Sequence, residues 1–215
     1  RSGLQARRLR QFEELNRQKV GAVTRIILLN GPRQVGKDFI ADKFVGEAIS
    51  ARKLPIMWPG KLAAMAEYGV PPSHVHAMER FKDRPINGVK DWQGLDVHAL
   101  HNLTPRQVYI EYGERMRAEE GEDYFAKLWA AHATRYRGYG CIVVPDVRFQ
   151  PEVDEAVREF GAHNVLLVRV RQENYGWAND IGSYLKHMFA HDFDNTAQSP
   201  DVGIELHDVV RRMML

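Results

Sequence analysis

The segment Gly31-Pro32-Arg33-Gln34-Val35-Gly36-Lys37-Asp38 carries the spacing Gly-x-x-x-x-Gly-Lys directly after the apolar run Ile26-Ile27-Leu28-Leu29-Asn30. Those residue types in that order suit the chemistry of a phosphate chain. Glycines let the backbone curl until successive N–H groups converge on anionic oxygens. Lys37 then neutralises the terminal phosphates, and the following helix presents the positive end of its dipole. Gly31, Arg33, Gln34, Val35, Gly36, Lys37, Asp38 and Phe39 are therefore the expected contacts to a nucleotide; the plain alternative is an incidental strand-to-helix turn. Asp38 stands where Ser or Thr is usual. Its carboxylate is either a ligand of Mg²⁺, direct or through water, or a first-turn acid that complements the dipole. A negative charge beside a triphosphate favours the metal role.

A second cluster, Asp146-Val147-Arg148, follows the apolar run Cys141–Pro145. Ligands of open α/β sheets gather at the carboxyl ends of strands. Asp146 is expected to hold Mg²⁺ or its water, or to act on the acceptor oxygen, and Arg148 to stabilise the transferred phosphoryl group. The bland reading is an Asp–Arg pair capping the next helix. Phosphoryl transfer rests on positioning and charge neutralisation, so further cations are expected. Arg33 can reach an acceptor phosphate. Lys61 and Arg106 each begin a helix and can hold that phosphate. Arg169 and Arg171, leaving a strand, can close over ATP. Each alone also fits a solvated surface charge. His187-x3-His191 with Asp192 and Asp194 has helix-face spacing for zinc, yet lacks a nearby cysteine or third histidine, so no structural metal is expected. Tyr124, Phe125 and Trp129 read as core before they read as a base-stacking platform.

The elements that position these groups follow from pattern. Residues 24–30 carry the continuous apolar, β-branched-rich run Ile26–Leu29, as a buried parallel strand does. Ile40, Phe44 and Ala48 recur on one helix face. A short strand is expected at Leu54–Trp58 and a helix at 61–68. Residues 70–103, with prolines 71, 72 and 85, glycines 88 and 94 and four histidines, read as an irregular functional excursion. Thr104-Pro105-Arg106-Gln107 is a capping-box helix start, giving helices to about 118 and over 123–136. Strands are expected at 141–145 and 164–170, separated by a helix that Pro151 opens and Gly161 stops. By pattern, Ile204–Leu206 is expected to be a last short strand before a terminal helix. Strands alternating with helices predict a parallel α/β sheet in three layers. The 215 residues suit one domain with insertions: a basic leader helix (1–20), an acceptor-binding helical region (70–136) and a lid-like segment (171–200).

Composition excludes little. Net charge is +2, with 44% hydrophobic and 27% charged residues, which gives no general argument for nucleic acid or a membrane. Arg1, Arg7, Arg8, Arg10, Arg17 and Lys19 make the leader basic, so DNA is a partner considered but not favoured over a solvated helix. No run approaches membrane-spanning length, and the leader lacks the apolar centre of a signal peptide. Cys141 is the only cysteine, which fits a reducing, cytoplasmic setting. A homodimer is left open.

On four stretches the chain resembles the bacteriophage-type deoxynucleoside monophosphate kinases and, more distantly, the animal-type phosphomevalonate kinases. They are GPRQVGKD, PGKLAAMAEYGV (59–70), RQVYIEYGERMR with GEDYFAKLW (106–129), and VVPDVRFQPEVDEAVREFGA (143–162) leading to VLLVRV. Together they span residues 24–170 in matching order, the first and last being most specific. The resemblance implies a P-loop kinase fold, ATP and Mg²⁺ as cofactors, and transfer to a deoxynucleoside 5′-monophosphate in the cytoplasm, that of the host if the chain is phage-encoded. It implies the loop roles for Arg33, Lys37 and Asp38, an acceptor-phosphate role for Arg106, a position near the base for Phe125, and the Asp-x-Arg pair for Asp146 and Arg148. After Gly113, Glu114 departs from the small hydroxyl residue of the phage kinases and is similar to the Gly-Glu of phosphomevalonate kinases. Three expectations therefore stand: a deoxynucleoside monophosphate kinase, the same chemistry on phosphomevalonate or on a hydroxymethylated base in DNA, and a nucleotide-binding regulatory module without turnover.

Overall fold

A computed structural model describes residues 23–48, 50–86, 100–173, 175–177, 183–195 and 208. The expected leader helix and the strand at 204–206 lie outside them. The chain divides into two compact units, one carrying the sheet (described residues up to Pro55 and from Ala130 onward), the other Ile56–Trp129.

Among the described residues, five parallel strands form the sheet: β1 (Arg25–Asn30), β2 (Ala51–Lys53), β3 (Cys141–Val147), β4 (Val165–Arg171) and β5 (Ala190–Asp194), in the spatial order β2-β3-β1-β4-β5. The fold is thus α/β with an all-parallel sheet flanked by helices, as the alternation of elements predicts. β1 is central, which is why Ile26, Ile27, Leu28 and Leu29 are all fully buried. Alternation divides them: Ile27 and Leu29 join Val143, Val168 and Val170 under Ile40, Ala41 and Phe44 of the helix α1 (Lys37–Glu47). The opposite face is covered by α6 (Gln150–Phe160), which buries Val153 and Ala156 and packs on β1 and β4. Cys141 is buried in β3, and burial pushes its thiol pKa well up against the weaker opposing charge of Arg25.

Two expectations shift. The short strand falls at β2, three residues before Leu54, because Ala51, Arg52 and Lys53 pair with Cys141, Ile142 and Val143. β5 lies inside the segment expected to be lid-like; its pairing with β4 makes part of that segment an edge strand.

The second unit packs three helices, α2 (Trp58–Ala66), α3 (Pro72–Glu79) and α4 (Pro105–Glu120), and the first part of α5 (Tyr124–Ala133), whose end passes into the sheet unit. α3 replaces part of the irregular excursion expected from residue 70; Pro72 occupies a first-turn position, where its missing N–H costs nothing. α4 starts as its capping box requires: the Thr104 hydroxyl accepts from the Gln107 N–H at 3.2 Å, and the Thr104 N–H donates to Gln107 Oε1 at 2.8 Å. Val108, Tyr109, Tyr112 and Gly113 form its buried face. Gly60 is required in α2, since a Cβ there would come within 2.7 Å of the Phe125 ring.

Candidate functional site

The strand order makes a crevice. From β1 the chain leaves through α1 on one face, and from β3 it leaves through α6 on the other, so the loops after these two neighbours diverge. A gap at the carboxyl ends of diverging strands is where ligands of open parallel sheets bind. Both chemically loaded sequences, Gly31–Asp38 and Asp146–Arg148, leave strands at that gap.

The end of β3 is bent. Leu28 pairs with Val144 and Asn30 with Val147, so two steps along β1 are matched by three along β3. Pro145, which has no N–H for the ladder, sits in this bulge beside Asp146. Two buried polar side chains hold the distortion. Asn30 Nδ2 donates to the Val147 carbonyl at 3.1 Å, while Asn30 Oδ1 accepts from the Leu185 N–H at 3.1 Å. Glu152 Oε2 accepts from the N–H groups of Arg148 (2.6 Å) and Phe149 (3.1 Å), fixing the turn that carries Arg148. Asp146 and Arg148 are both half-buried.

The glycine loop has the conformation its composition demands. Gly36 is left-handed (φ 88°), as is Gln34 (φ 64°). A Cβ on Gly31 would lie 2.5 Å from the Val170 carbonyl oxygen, so only glycine fits against β4. Val35 is fully buried and anchors the loop in the core beneath α1. The N-cap of α1 is Gly36, which has no side chain to cap the first turn, and a helix start is where backbone N–H groups can meet an anion. Lys37 Nζ donates to the carbonyls of Gly31 (2.5 Å) and Pro32 (2.6 Å) within its own loop. Arg33, Gln34 and Phe39 are exposed. Asp38, 81% exposed, forms an ion pair with Lys53 of β2 at 2.8 Å, and Asp42 pairs with the same ammonium at 3.0 Å. Burial lowers the Lys53 pKa, but the hydrogen bonds and charges of Asp38 and Asp42 outweigh it and raise it above the ordinary value. Asp38 thus has a structural partner on the α1–β2 surface.

Arg169 and Arg171, at the end of β4, both reach Asp192 of β5, at 2.6 and 3.0 Å, and Arg171 lies over the Tyr184 ring at 5.2 Å. His187 Nε2 donates to the Val165 carbonyl at 2.8 Å and His191 is in β5, so the pair does not share a helix face. Among the described residues no group of three His, Cys, Asp or Glu side chains is placed to hold a metal.

The candidates in the helical unit are arranged around acids that sequence reasoning missed. Lys61 Nζ pairs with Glu79 Oε2 at 2.8 Å and lies 5.4 Å from the centroid of the Tyr109 ring. Burial, and then the charge of Glu79, push the Tyr109 hydroxyl pKa up. That hydroxyl and Glu79 Oε1 are buried close together without a hydrogen bond of normal geometry. Arg106 grips Asp83 with two bonds, Nε to Oδ1 and Nη2 to Oδ2 (3.2 Å); the first of these holds the Asp83 carboxyl below its usual range. Gly113 is buried, Glu114 is exposed, and Phe125 is a core residue in edge contact with Tyr124 and Tyr112.

Glu152 could have been found in sequence as the acid three residues after Phe149 at a Pro-marked helix start. Asn30 has the signal of a polar residue ending an apolar strand. Glu79 and Asp83 have none, since their pairing with Lys61 and Arg106 depends on how the helices pack.

No protein-family model matches the chain, and no curated protein sequence matches it significantly. No described helix is long and apolar enough to cross a membrane.

Proposed function

We propose that this chain is a P-loop kinase that transfers the γ-phosphoryl group of ATP to a deoxynucleoside 5′-monophosphate, giving ADP and the deoxynucleoside diphosphate. The observation that carries the reading is the coincidence of a glycine loop bearing Lys37, left-handed at Gln34 and Gly36, with a bulged Asp146-Val-Arg148 turn, both leaving neighbouring strands whose connections diverge.

In this reading the loop amides and the start of α1 bind the triphosphate, and Lys37 neutralises its β- and γ-oxygens. An oxygen of the acceptor phosphate attacks the γ-phosphorus as the bond to the β–γ bridging oxygen breaks, and the charge released onto that oxygen stays on ADP. Arg148 faces the charge on the group in transit, and Arg33 and Arg171 supply further neutralisation around the nucleotide. Mg²⁺, when bound, would supply Lewis-acid neutralisation of phosphate charge. Asp146 fits as its protein carboxylate, because Mg²⁺ commonly takes one or two carboxylates with phosphates and water; Asp38 is already engaged by Lys53. Lys61 and Arg106 are the acceptor-phosphate cations, released from Glu79 and Asp83 when the acceptor binds.

A coupled ADP-release assay tests this across deoxynucleoside monophosphates, phosphomevalonate and DNA containing hydroxymethylated bases. Turnover with a monophosphate is the expected result. Turnover on the polymer or on phosphomevalonate alone would move the acceptor class. ATP binding without turnover on any acceptor would favour a regulatory module.

A further inference from the structure

Asn195 is 6% exposed, immediately follows β5, and no feature of its local sequence marks it. Its N–H donates to the Arg171 carbonyl at 2.7 Å, which ties it to the end of β4. Its side chain crosses to the glycine loop, where Nδ2 donates to the Val35 carbonyl at 2.9 Å in a buried hydrogen bond. The same nitrogen lies 2.6 Å from where a Cβ on Gly36 would stand. Oδ1 is buried and has no hydrogen-bond partner among the described residues. The orientation of the amide is therefore set by its bond to Val35, since turning it over would place oxygen against oxygen.

The consequence lies in the peptide unit. The Val35 carbonyl and the Gly36 N–H belong to one planar trans peptide and point in opposite directions. Holding the carbonyl toward Asn195 turns the Gly36 N–H away from Asn195, to the opposite side of the peptide. Gly36 accepts this geometry because it is left-handed and has no Cβ to meet the amide.

We infer that Asn195 is a positioning residue of the phosphate site, acting through the Val35–Gly36 peptide to aim the Gly36 amide at a bound phosphate. The inference rests on the phosphate-binding reading of the loop and adds a residue about 160 positions distant from it. A buried hydrogen bond that keeps a donor aimed in advance contributes to binding because reorientation is not required when the anion arrives.

Three full-length proteins test it: wild type, Asn195→Asp, which keeps the shape but replaces the donor with a carboxylate, and Asn195→Leu, which keeps the volume without polarity. Affinity for ADP and for inorganic pyrophosphate is measured by calorimetry alongside the melting temperature. Both variants should bind pyrophosphate at least about tenfold more weakly, the equivalent of one hydrogen bond. Affinity for a deoxynucleoside monophosphate should stay unchanged. In the wild type, the Gly36 amide cross-peak in a ¹⁵N–¹H spectrum should move on adding pyrophosphate, a readout that needs no variant to fold. Wild-type protein that binds neither ADP nor pyrophosphate would sink the phosphate-site reading itself. Wild type that binds them, with folded variants binding equally well or with a Gly36 cross-peak that stays in place, would overturn the role of Asn195 alone.

Discussion

The two units hold their functional groups in different ways. In the sheet unit, the loop and the bulged turn are fixed by buried side chains bonded to backbone: Asn30 to Val147 and Leu185, Glu152 to Arg148 and Phe149, Asn195 to Val35. In the helical unit, the cations are held by carboxylates, with Arg106 on Asp83 and Arg115 on Glu67 near solvent and Lys61 on Glu79 half-buried. Buried hydrogen bonds to backbone leave it little freedom and feel salt weakly, whereas exposed ion pairs are screened and exchange partners readily. One side is built in advance and the other is adjustable. In the proposed reading, that division suits constant nucleotide phosphates on one hand and an acceptor that must be admitted and released on the other.

Substitutions should separate the two sides, beginning with the largest effect. Lys37→Ala removes the charge at the phosphates and should lower turnover by at least about a thousandfold. The melting temperature should move little, because the ammonium bonds carbonyls of its own loop. Near-normal turnover in the assay would remove Lys37 from the chemistry. Asn30→Ala should act on the scaffold instead. It strands the Leu185 N–H and deprives the Val147 carbonyl of a donor, both buried, for a loss of about 2–4 kcal/mol in chemical denaturation. A loss under about 0.5 kcal/mol would mean that the preorganised side is softer than its hydrogen bonds suggest.

The same contrast explains what the sequence could reveal. Strand, glycine loop and helix are consecutive, so β1, Gly31–Lys37 and α1 could be read from order and periodicity alone. The Asp146–Arg148 turn followed from the apolar run before it. The bulge that aims Asp146 was not legible, since it depends on register with β1. β2 was misplaced because a three-residue strand next to a longer apolar stretch is defined by pairing with β3, not by its own pattern. β5 was hidden by charge: Ala190-His-Asp-Phe-Asp194 buries only Phe193 closely, as an edge strand can, and its polar residues look like a loop. Glu79 and Asp83 look like solvated surface acids until the packing of α2 with α3 and α4 sets them against Lys61 and Arg106.

Arg106→Ala sharpens the comparison from the adjustable side. Its partner Asp83 is exposed, so stability should hold within about 0.5 kcal/mol. If Arg106 meets the acceptor phosphate, KM for the monophosphate should rise about tenfold or more while KM for ATP stays within about twofold. Parallel changes in both constants would place Arg106 outside the acceptor site. An unchanged KM for both would leave its pair with Asp83 as a surface contact.

The smallest effect concerns Asp38, where the two designs meet on one residue. Its carboxylate is exposed yet paired with Lys53, whose ammonium also meets Asp42. Lys53→Met should destabilise the fold by about 0.2–1 kcal/mol, the range of such surface pairs. Because the folded-state pKa of Lys53 lies above its ordinary 10.5, the contribution is fully present below that value and fades as pH rises through the folded pKa. The difference between wild type and Lys53→Met should therefore be constant near neutrality and shrink in strongly alkaline buffer, measured by denaturant titration of both proteins at each pH. Asp38→Asn should reproduce part of that stability loss and leave the Mg²⁺ concentration needed for half-maximal turnover unchanged. A shift of that requirement by about tenfold would mean instead that Asp38 leaves Lys53 to hold the metal during the reaction, and that even the preorganised side exchanges one of its ion pairs.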